Sequence, residues 1–217
     1  MREALTAIGM FYKTSGKINI MRFGLPAGFA KVKADEAHHH TSLTKPSDNE
    51  ISIFEDHLKS LPRKADTSVL ILGSSPELRE LAARLNVKAT VVANDLEVIE
   101  RTTRQMKKRN KKEEWLEGDI IGLPLEKGSF DVIFSDHFVA NVSPFNKDNF
   151  YDRMKEILKD DGFVVIRSMV LEKMMKPFEN RLSKYFTIIE KKFGKEGVFS
   201  GYFPIYLMRP KQASRKN

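Results

Sequence analysis

Apolar residues at Ile51, Phe54, Leu58 and Leu61 recur at helical spacing behind Ser47-Asp48-Asn49-Glu50. That tetrad has the S-x-x-E form of a capping box, in which serine and glutamate side chains satisfy backbone N–H groups at the start of a helix. The pattern predicts a helix over about 48–60, ended by Pro62. Beyond it, short apolar runs alternate with helical stretches: Val69 to Leu72, a helix Pro76 to Leu85, Ala89 to Ala93, a basic helix over about 96–109, and a strand near Glu114 to Glu117. The run Phe130 to Phe134 follows, then a helix Asn149 to Leu158 with Phe150, Met154, Ile157 and Leu158 on one face, closed by Asp161-Gly162 before the run Phe163 to Ile166. The runs lack the polar–apolar alternation of a half-exposed strand, so they belong to a parallel sheet covered by helices on both faces. The C-terminal part differs, with a helical stretch Leu171 to Leu182 and two strands, Tyr185 to Lys191 and Tyr202 to Met208, expected to form an antiparallel hairpin.

Residues 1 to about 46 carry turn signals at Ser15-Gly16, Gly24 and Pro26-Ala27-Gly28 and no sustained sheet pattern. They are expected to form a short, loosely amphipathic helical extension that could act as a lid, with Phe11, Tyr12 and Phe23 closing over a substrate or packing onto the core. The rest, 47–217, suffices for one α/β domain with a substantial core.

Composition narrows the picture. With no cysteine, disulfides, zinc–thiolate sites and cysteine nucleophiles are excluded. There is no signal-peptide pattern and no apolar run near the roughly 18 residues needed to span a bilayer, so a soluble, cytoplasmic protein is expected. The balance of 37 Lys and Arg against 29 Asp and Glu gives a formal charge of +8. The excess gathers in Arg101 to Lys112 and in the tail Arg209 to Lys216, without interleaved aromatics. That distribution reads as a solvated helix face and a frayed tail in preference to a nucleic-acid footprint. His38-His39-His40 cannot all reach one metal from regular backbone and reads as a polar loop, so no metal site is expected.

Three segments carry candidate chemistry. The strand ending at Leu72 runs into Gly73-Ser74-Ser75-Pro76 and directly into a helix; a glycine there lets a ligand approach the backbone, and the helix N-terminus presents N–H groups. Asp95, after Asn94 and before Leu96, stands twenty-two residues beyond Gly73 at the end of the next apolar run. There a carboxylate can accept both hydroxyls of a ribose, or simply cap the following helix. The third segment is Gly118-Asp119-Ile120-Ile121, then Leu123-Pro124, then Phe130-Asp131-Val132-Ile133-Phe134-Ser135-Asp136-His137.

This last segment resembles the class I S-adenosylmethionine-dependent methyltransferases, whose pattern is close to G-D-x-x-x-L-P followed by F-D-V-I; the resemblance spans about Ser68 to Val170. It implies a Rossmann-like sheet of seven mostly parallel strands with an antiparallel C-terminal strand, and S-adenosylmethionine as cofactor. On that resemblance Gly73, Ser74, Ser75 and Pro76 would line the methionine end. Asn94, Asp95 and Leu96 would lie at the ribose, Gly118, Asp119 and Ile120 at the adenine, and Ser135, Asp136, His137 and Phe138 between cofactor and acceptor. The chain departs from the family loop (D/E)-x-G-x-G-x-G, having Ile71 at the acidic position and a single glycine, and resembles a branch of small methyltransferases with a G-x-x-P-E variant.

Methyl transfer from a sulfonium needs an acceptor held in line and water excluded, with no enzyme nucleophile. Oxygen acceptors usually need a base, for which His137 is the candidate, with a pocket-wall or capping role as its alternative. His57 falls on the helix after Ser47, on what its neighbours suggest is an exposed face. Tyr202, Phe203 and Tyr206 could face the acceptor. Base amino methylation in nucleic acids typically goes with an N-P-P-Y type tetrad; Ser135-Asp136-His137-Phe138 in its place favours a small-molecule acceptor. The alternatives are an RNA-directed methyltransferase or RNA-binding protein using the helix 101–112, a dinucleotide-dependent oxidoreductase, and a non-catalytic S-adenosylmethionine-binding module.

Overall fold

The structure, a computed structural model, describes residues 10–14, 17–21, 45–61, 67–194 and 203–211. The chain divides into two compact units, 1–45 and 46–217. In the first, β1 (Met10–Thr14) and β2 (Lys17–Met21) form an antiparallel hairpin with Thr14 opposite Lys17. This corrects the expectation of a helical extension there. Phe11, Tyr12, Ile18 and Ile20 supply strand propensity, but five-residue strands are too short to betray a period of two. The side chains of Phe11 and Tyr12, together with Phe23 and His38 to His40, lie outside the described residues.

The second unit opens with α1 (Asp48–Lys59), whose capping box is formed as its sequence predicts: Glu50 N–H donates to Ser47 Oγ at 3.2 Å and Ser47 N–H to Glu50 Oε2 at 2.8 Å. Then follow β3 (Ser68–Leu72), α2 (Pro76–Leu85), β4 (Lys88–Ala93), α3 (Leu96–Gln105), β5 (Glu113–Glu117), β6 (Phe130–Asp136), α4 (Phe138–Asn141) and α5 (Lys147–Ile157). The unit ends with β7 (Leu158–Arg167), α6 (Glu172–Tyr185), β8 (Phe186–Phe193) and β9 (Pro204–Pro210). The sheet order is β5-β4-β3-β6-β7-β9-β8. All pairs from β5 to β7 are parallel, and β9 runs antiparallel to both its neighbours, the expected C-terminal hairpin.

Both faces of the central strands are dry, which is why their sequences are continuously apolar. Val69, Ile71, Val132 and Phe134 face Phe54, Leu78, Leu81 and Ile99 of α1, α2 and α3, with the Phe54 and Phe134 rings meeting edge to face at 5.2 Å. Leu70, Leu72, Ile133 and Ile166 face Phe150, Met154 and Leu182 of α5 and α6.

Three elements differ from their sequence patterns. The helix expected over 96–109 stops at Gln105. Met106 is extended, the Lys107 N–H turns to the Glu80 carboxylate, and Asn110 donates to Val87 O, so the basic run Lys107 to Lys112 lies beyond the helix. Asp161-Gly162 lies within β7, which already starts at Leu158 and accommodates the extra residues by a register shift opposite Phe130 to Val132. His57 is buried, 7% exposed, where an exposed face was expected, because β8 covers that side of α1 and brings Glu190 Oε2 to 3.3 Å from its Nε2.

Candidate functional site

Because β3, β4, β5 and β6 are adjacent and parallel, their carboxyl ends deliver the Gly73 turn, Asp95, Asp119 and the Ser135 to Phe138 segment to one edge of the sheet. In open α/β sheets that edge is where ligands bind, at the point where strand order reverses, here between β3 and β6.

The turn after β3 is pinned at its start, where Gly73 N–H donates to Val92 O at 2.8 Å. Gly73 adopts φ +88°, a conformation that strains any side-chain-bearing residue, and a Cβ there would lie 3.5 Å from the Phe138 ring. Pro76 takes the first position of α2, where its missing N–H is harmless. Ser74 and Ser75 are buried, and the Ser75 side chain, at the cap position, accepts no backbone N–H of its helix. Its hydroxyl instead lies 3.3 Å from Asp136 Oδ2 and 3.2 Å from Glu77 Oε2.

Asp95 is exposed and caps α3, its Oδ1 accepting the Glu97 N–H at 2.8 Å. Asn94, exposed beside it, and Leu96, half-buried at the helix start, complete that corner. At the end of β5, Gly118 donates to Ala93 O at 3.0 Å and adopts φ +140°, a value that suits glycine. Asp119 is exposed and turns the chain, its Oδ1 accepting Ile121 N–H at 3.0 Å, whereas Ile120 is buried beside Val92 and Leu72.

At the end of β6, the Ser135 side chain is fully buried and its Oγ has no hydrogen-bond partner among the described residues. Asp136 is buried and accepts from Arg167 Nη1 at 2.9 Å. His137 adopts φ +55°, its N–H donates to Arg167 O at 2.7 Å, and its Nδ1 accepts the Met169 N–H at 3.4 Å. The ring of Phe203 stands 5.9 Å from that of His137. Tyr206 is turned away into the core of the sheet, its hydroxyl donating to Glu179 Oε1 at 3.1 Å, and Tyr202 lies outside the described residues.

Two residues here escaped sequence reasoning. Arg167 binds both oxygens of Glu50, and Glu50 is therefore both the capping-box residue of α1 and a buried counter-ion. The available signal was a cation ending an apolar strand, since a buried arginine requires a carboxylate. Conversely, the F-D of the family-like signature supports the opposite edge. Asp131 accepts Ser68 N–H at 2.8 Å and both of its oxygens lie 2.9 Å from Lys159 Nζ. Burial pushes its carboxyl pKa up, but the hydrogen bonds from Ser68 and Lys159 outweigh that and hold it below the ordinary value. Among the described residues no group of acidic or histidine side chains could hold a metal, and no helix is long and apolar enough to cross a membrane.

Residues 72–166 match the sequence profile of the methyltransferase domain. No curated protein matches the chain. Among solved structures, it is similar to the 1,6-didemethyltoxoflavin N1-methyltransferase of Burkholderia thailandensis, bound to 1,6-didemethyltoxoflavin and S-adenosylhomocysteine. That match has TM-score 0.63 and 12% identity over 82% of each chain. It is also similar to the N-methyltransferase NodS of Bradyrhizobium japonicum in complex with S-adenosylhomocysteine, with TM-score 0.58 and 17% identity over 76% of this chain and 90% of that one. The cyclase SpnF shares the fold too, with TM-score 0.58 and 10% identity over 76% of this chain and 82% of that one. The fold is thus that of a Rossmann-like methyltransferase. Residues 72–166 are similar in sequence to the methyltransferase domain, and S-adenosylmethionine is the cofactor which that similarity implies.

Proposed function

We propose that the protein transfers the methyl group of S-adenosylmethionine to a small-molecule acceptor at the carboxyl edge of β3 to β6. The observation that carries the reading is the gathering of Gly73, Asp95, Asp119 and the Ser135 to His137 segment at the ends of four adjacent parallel strands. The residues present suit the cofactor on structural grounds: a cradle at Gly73 that a side chain would strain, and a buried Ser135 hydroxyl with no described partner.

The bound cofactor supplies an electrophilic methyl on a sulfonium, so this chain's residues bind, orient and shield. In our reading the backbone from Gly73 to Pro76 accommodates the amino-acid end, and Asp95 accepts the ribose hydroxyls with the carboxylate that also caps α3. Ile120 supports one face of the adenine while Asp119 accepts its amino group; Asn94, Leu96 and Gly118 shape the walls between them. Phe138, Phe203 and the buried end of β6 exclude water on the acceptor side, where a dry, oriented site lowers the barrier to in-line attack. His137 adjoins the acceptor. Accepting Met169 N–H at Nδ1 leaves the proton of the neutral ring on Nε2, so the ring donates a hydrogen bond to the acceptor or its leaving proton's carrier.

A small acceptor is supported by the absence of an N-P-P-Y type tetrad at 135–138 and by the end of α3 before the basic run, which removes the continuous basic helix an RNA partner would have used. Calorimetry with S-adenosylmethionine, S-adenosylhomocysteine and NAD tests the reading. Binding of both sulfur compounds and not NAD is expected, and no binding of either at millimolar concentration would overturn it.

A further inference from the structure

Arg167 closes β7 with a side chain only 2% exposed, and methyl transfer as described above does not call on it. Its guanidinium is a junction. Nε and Nη2 donate to the two Glu50 oxygens at 2.8 and 3.1 Å, Nη1 donates to Asp136 Oδ1 at 2.9 Å, and Cζ lies 4.1 Å from the Phe203 ring centre. Gly194 makes room for Glu50, since a Cβ there would come within 2.5 Å of Glu50 Cγ. The other oxygen of Asp136 then meets the Ser75 hydroxyl at 3.3 Å. A continuous line of polar contacts runs from α1, through the ends of β7 and β6, into the turn between Gly73 and α2.

Buried ions of this kind seldom add net stability, because desolvation consumes much of the Coulombic gain; what they do add is a defined geometry. The geometry here has a particular object. Serine at a helix cap ordinarily spends its hydroxyl on the first-turn N–H groups, and Ser75 does not. Asp136, held by Arg167 at its Oδ1, shares that hydroxyl with Glu77 Oε2 of α2, the two acceptors lying 3.3 and 3.2 Å away. The turn also lacks the further glycines that would dictate its path in the usual family loop, leaving side-chain contacts to set it.

We propose that Asp136 and Arg167 are positioning residues that fix the Gly73 to Pro76 turn through Ser75 for the amino-acid end of the cofactor, in place of the missing glycines. The inference rests on the methyltransferase reading of this site. It makes the network specific to one half of the ligand, which a merely structural network would not be.

The test compares the affinities of the full-length chain for S-adenosylhomocysteine and for adenosine, which lacks the amino-acid end, by calorimetry alongside thermal melting. Ser75→Ala and Asp136→Asn are each expected to weaken S-adenosylhomocysteine about tenfold, the worth of one hydrogen bond to a charged group, while adenosine affinity stays within about twofold. Ser75→Ala is expected to melt within about 2 °C of the wild type, and Ser75→Thr, which keeps the hydroxyl, to restore the affinity. Unchanged S-adenosylhomocysteine binding by Ser75→Ala, or an equal loss for both ligands, overturns the positioning role while leaving the cofactor reading intact. Failure of the wild type to bind S-adenosylhomocysteine overturns the cofactor reading, and this inference with it.

Discussion

Arg79 and Arg167 are the largest fully buried side chains among the described residues, and Arg79 offers the sharpest test of what holds the domain together. From α2 its guanidinium reaches Glu113 at the start of β5 through Nε and Nη2, the closest contact being 2.6 Å. It also reaches Ile99 O and Thr102 Oγ1 of α3 through Nη1 at 3.2 and 2.9 Å. Its side chain is 0% and that of Glu113 6% exposed, so the pair is shielded from solvent screening. Glu113→Ala leaves a buried guanidinium charge without its carboxylate counter-ion, which costs about 3–5 kcal/mol for a buried pair broken on one side. With a urea slope of about 2 kcal/mol per molar, the midpoint is expected to fall by about 1.5–2.5 M. The double variant Arg79→Met with Glu113→Leu removes both charges together, and is expected to recover most of that loss. Urea unfolding followed by circular dichroism gives the cycle; fluorescence is unsuited because the single tryptophan, Trp115, lies 5.6 Å from Arg79. A Glu113→Ala variant within 1 kcal/mol of the wild type, or a double variant worse than either single one, would refute the reasoning.

Asp95→Asn separates the two roles of that residue, because asparagine caps a helix as well as aspartate does. Stability is expected to stay within about 0.5 kcal/mol while S-adenosylhomocysteine affinity in calorimetry falls at least about tenfold. Gly73→Ala forces a side chain into φ +88° and is expected to cost about 1 kcal/mol or more in denaturant unfolding and to weaken cofactor binding. His57 has its pKa lowered, chiefly by burial, with Glu190 opposing and Lys192 reinforcing the shift. The folded state therefore binds the proton less readily than the unfolded one. The stability His57 contributes is complete above its unfolded value near 6.5 and is lost as pH falls from there through the lower folded pKa. Melting temperatures from pH 7.5 down to 5 are expected to fall more steeply for the wild type than for His57→Gln, and parallel slopes would count against the shift.

The sheet was legible because burial on both faces writes unbroken apolar runs, and because a capping box at Ser47 and Glu50 and a proline at Pro76 mark helix starts chemically. The hairpin at 10–21 was not, since five residues per strand carry too little periodicity. The early end of α3 was not either: Thr102 and Thr103 turn their hydroxyls back onto Ile99 O and serve Arg79, a tertiary demand invisible in the local pattern. At the site, the turn, Asp95 and Asp119 could be found because each follows a strand end that the sequence already marks. Glu50 and Arg167 stand 117 residues apart and meet only because α1 packs across the end of β7.

The fold alone leaves the reaction open, since the cyclase SpnF shares it at the same level of similarity as the N-methyltransferase NodS. On the proposed reading the acceptor side decides, and of the two histidines among the described residues His137 is the one at this edge of the sheet. Its φ of +55° is set by the N–H bond to Arg167 O, and the ring stands beside Phe203, so the side chain is oriented by backbone and packing together. With Nδ1 accepting from Met169, taking a proton would have to occur at a nitrogen that already carries one. We therefore expect His137→Asn, which tolerates the left-handed backbone, to retain S-adenosylhomocysteine affinity and to lower kcat by less than about tenfold. A loss of about a hundredfold or more, with a pH profile that loses its basic limb, is the signature of general-base catalysis and would show that the Met169 contact breaks when the acceptor binds.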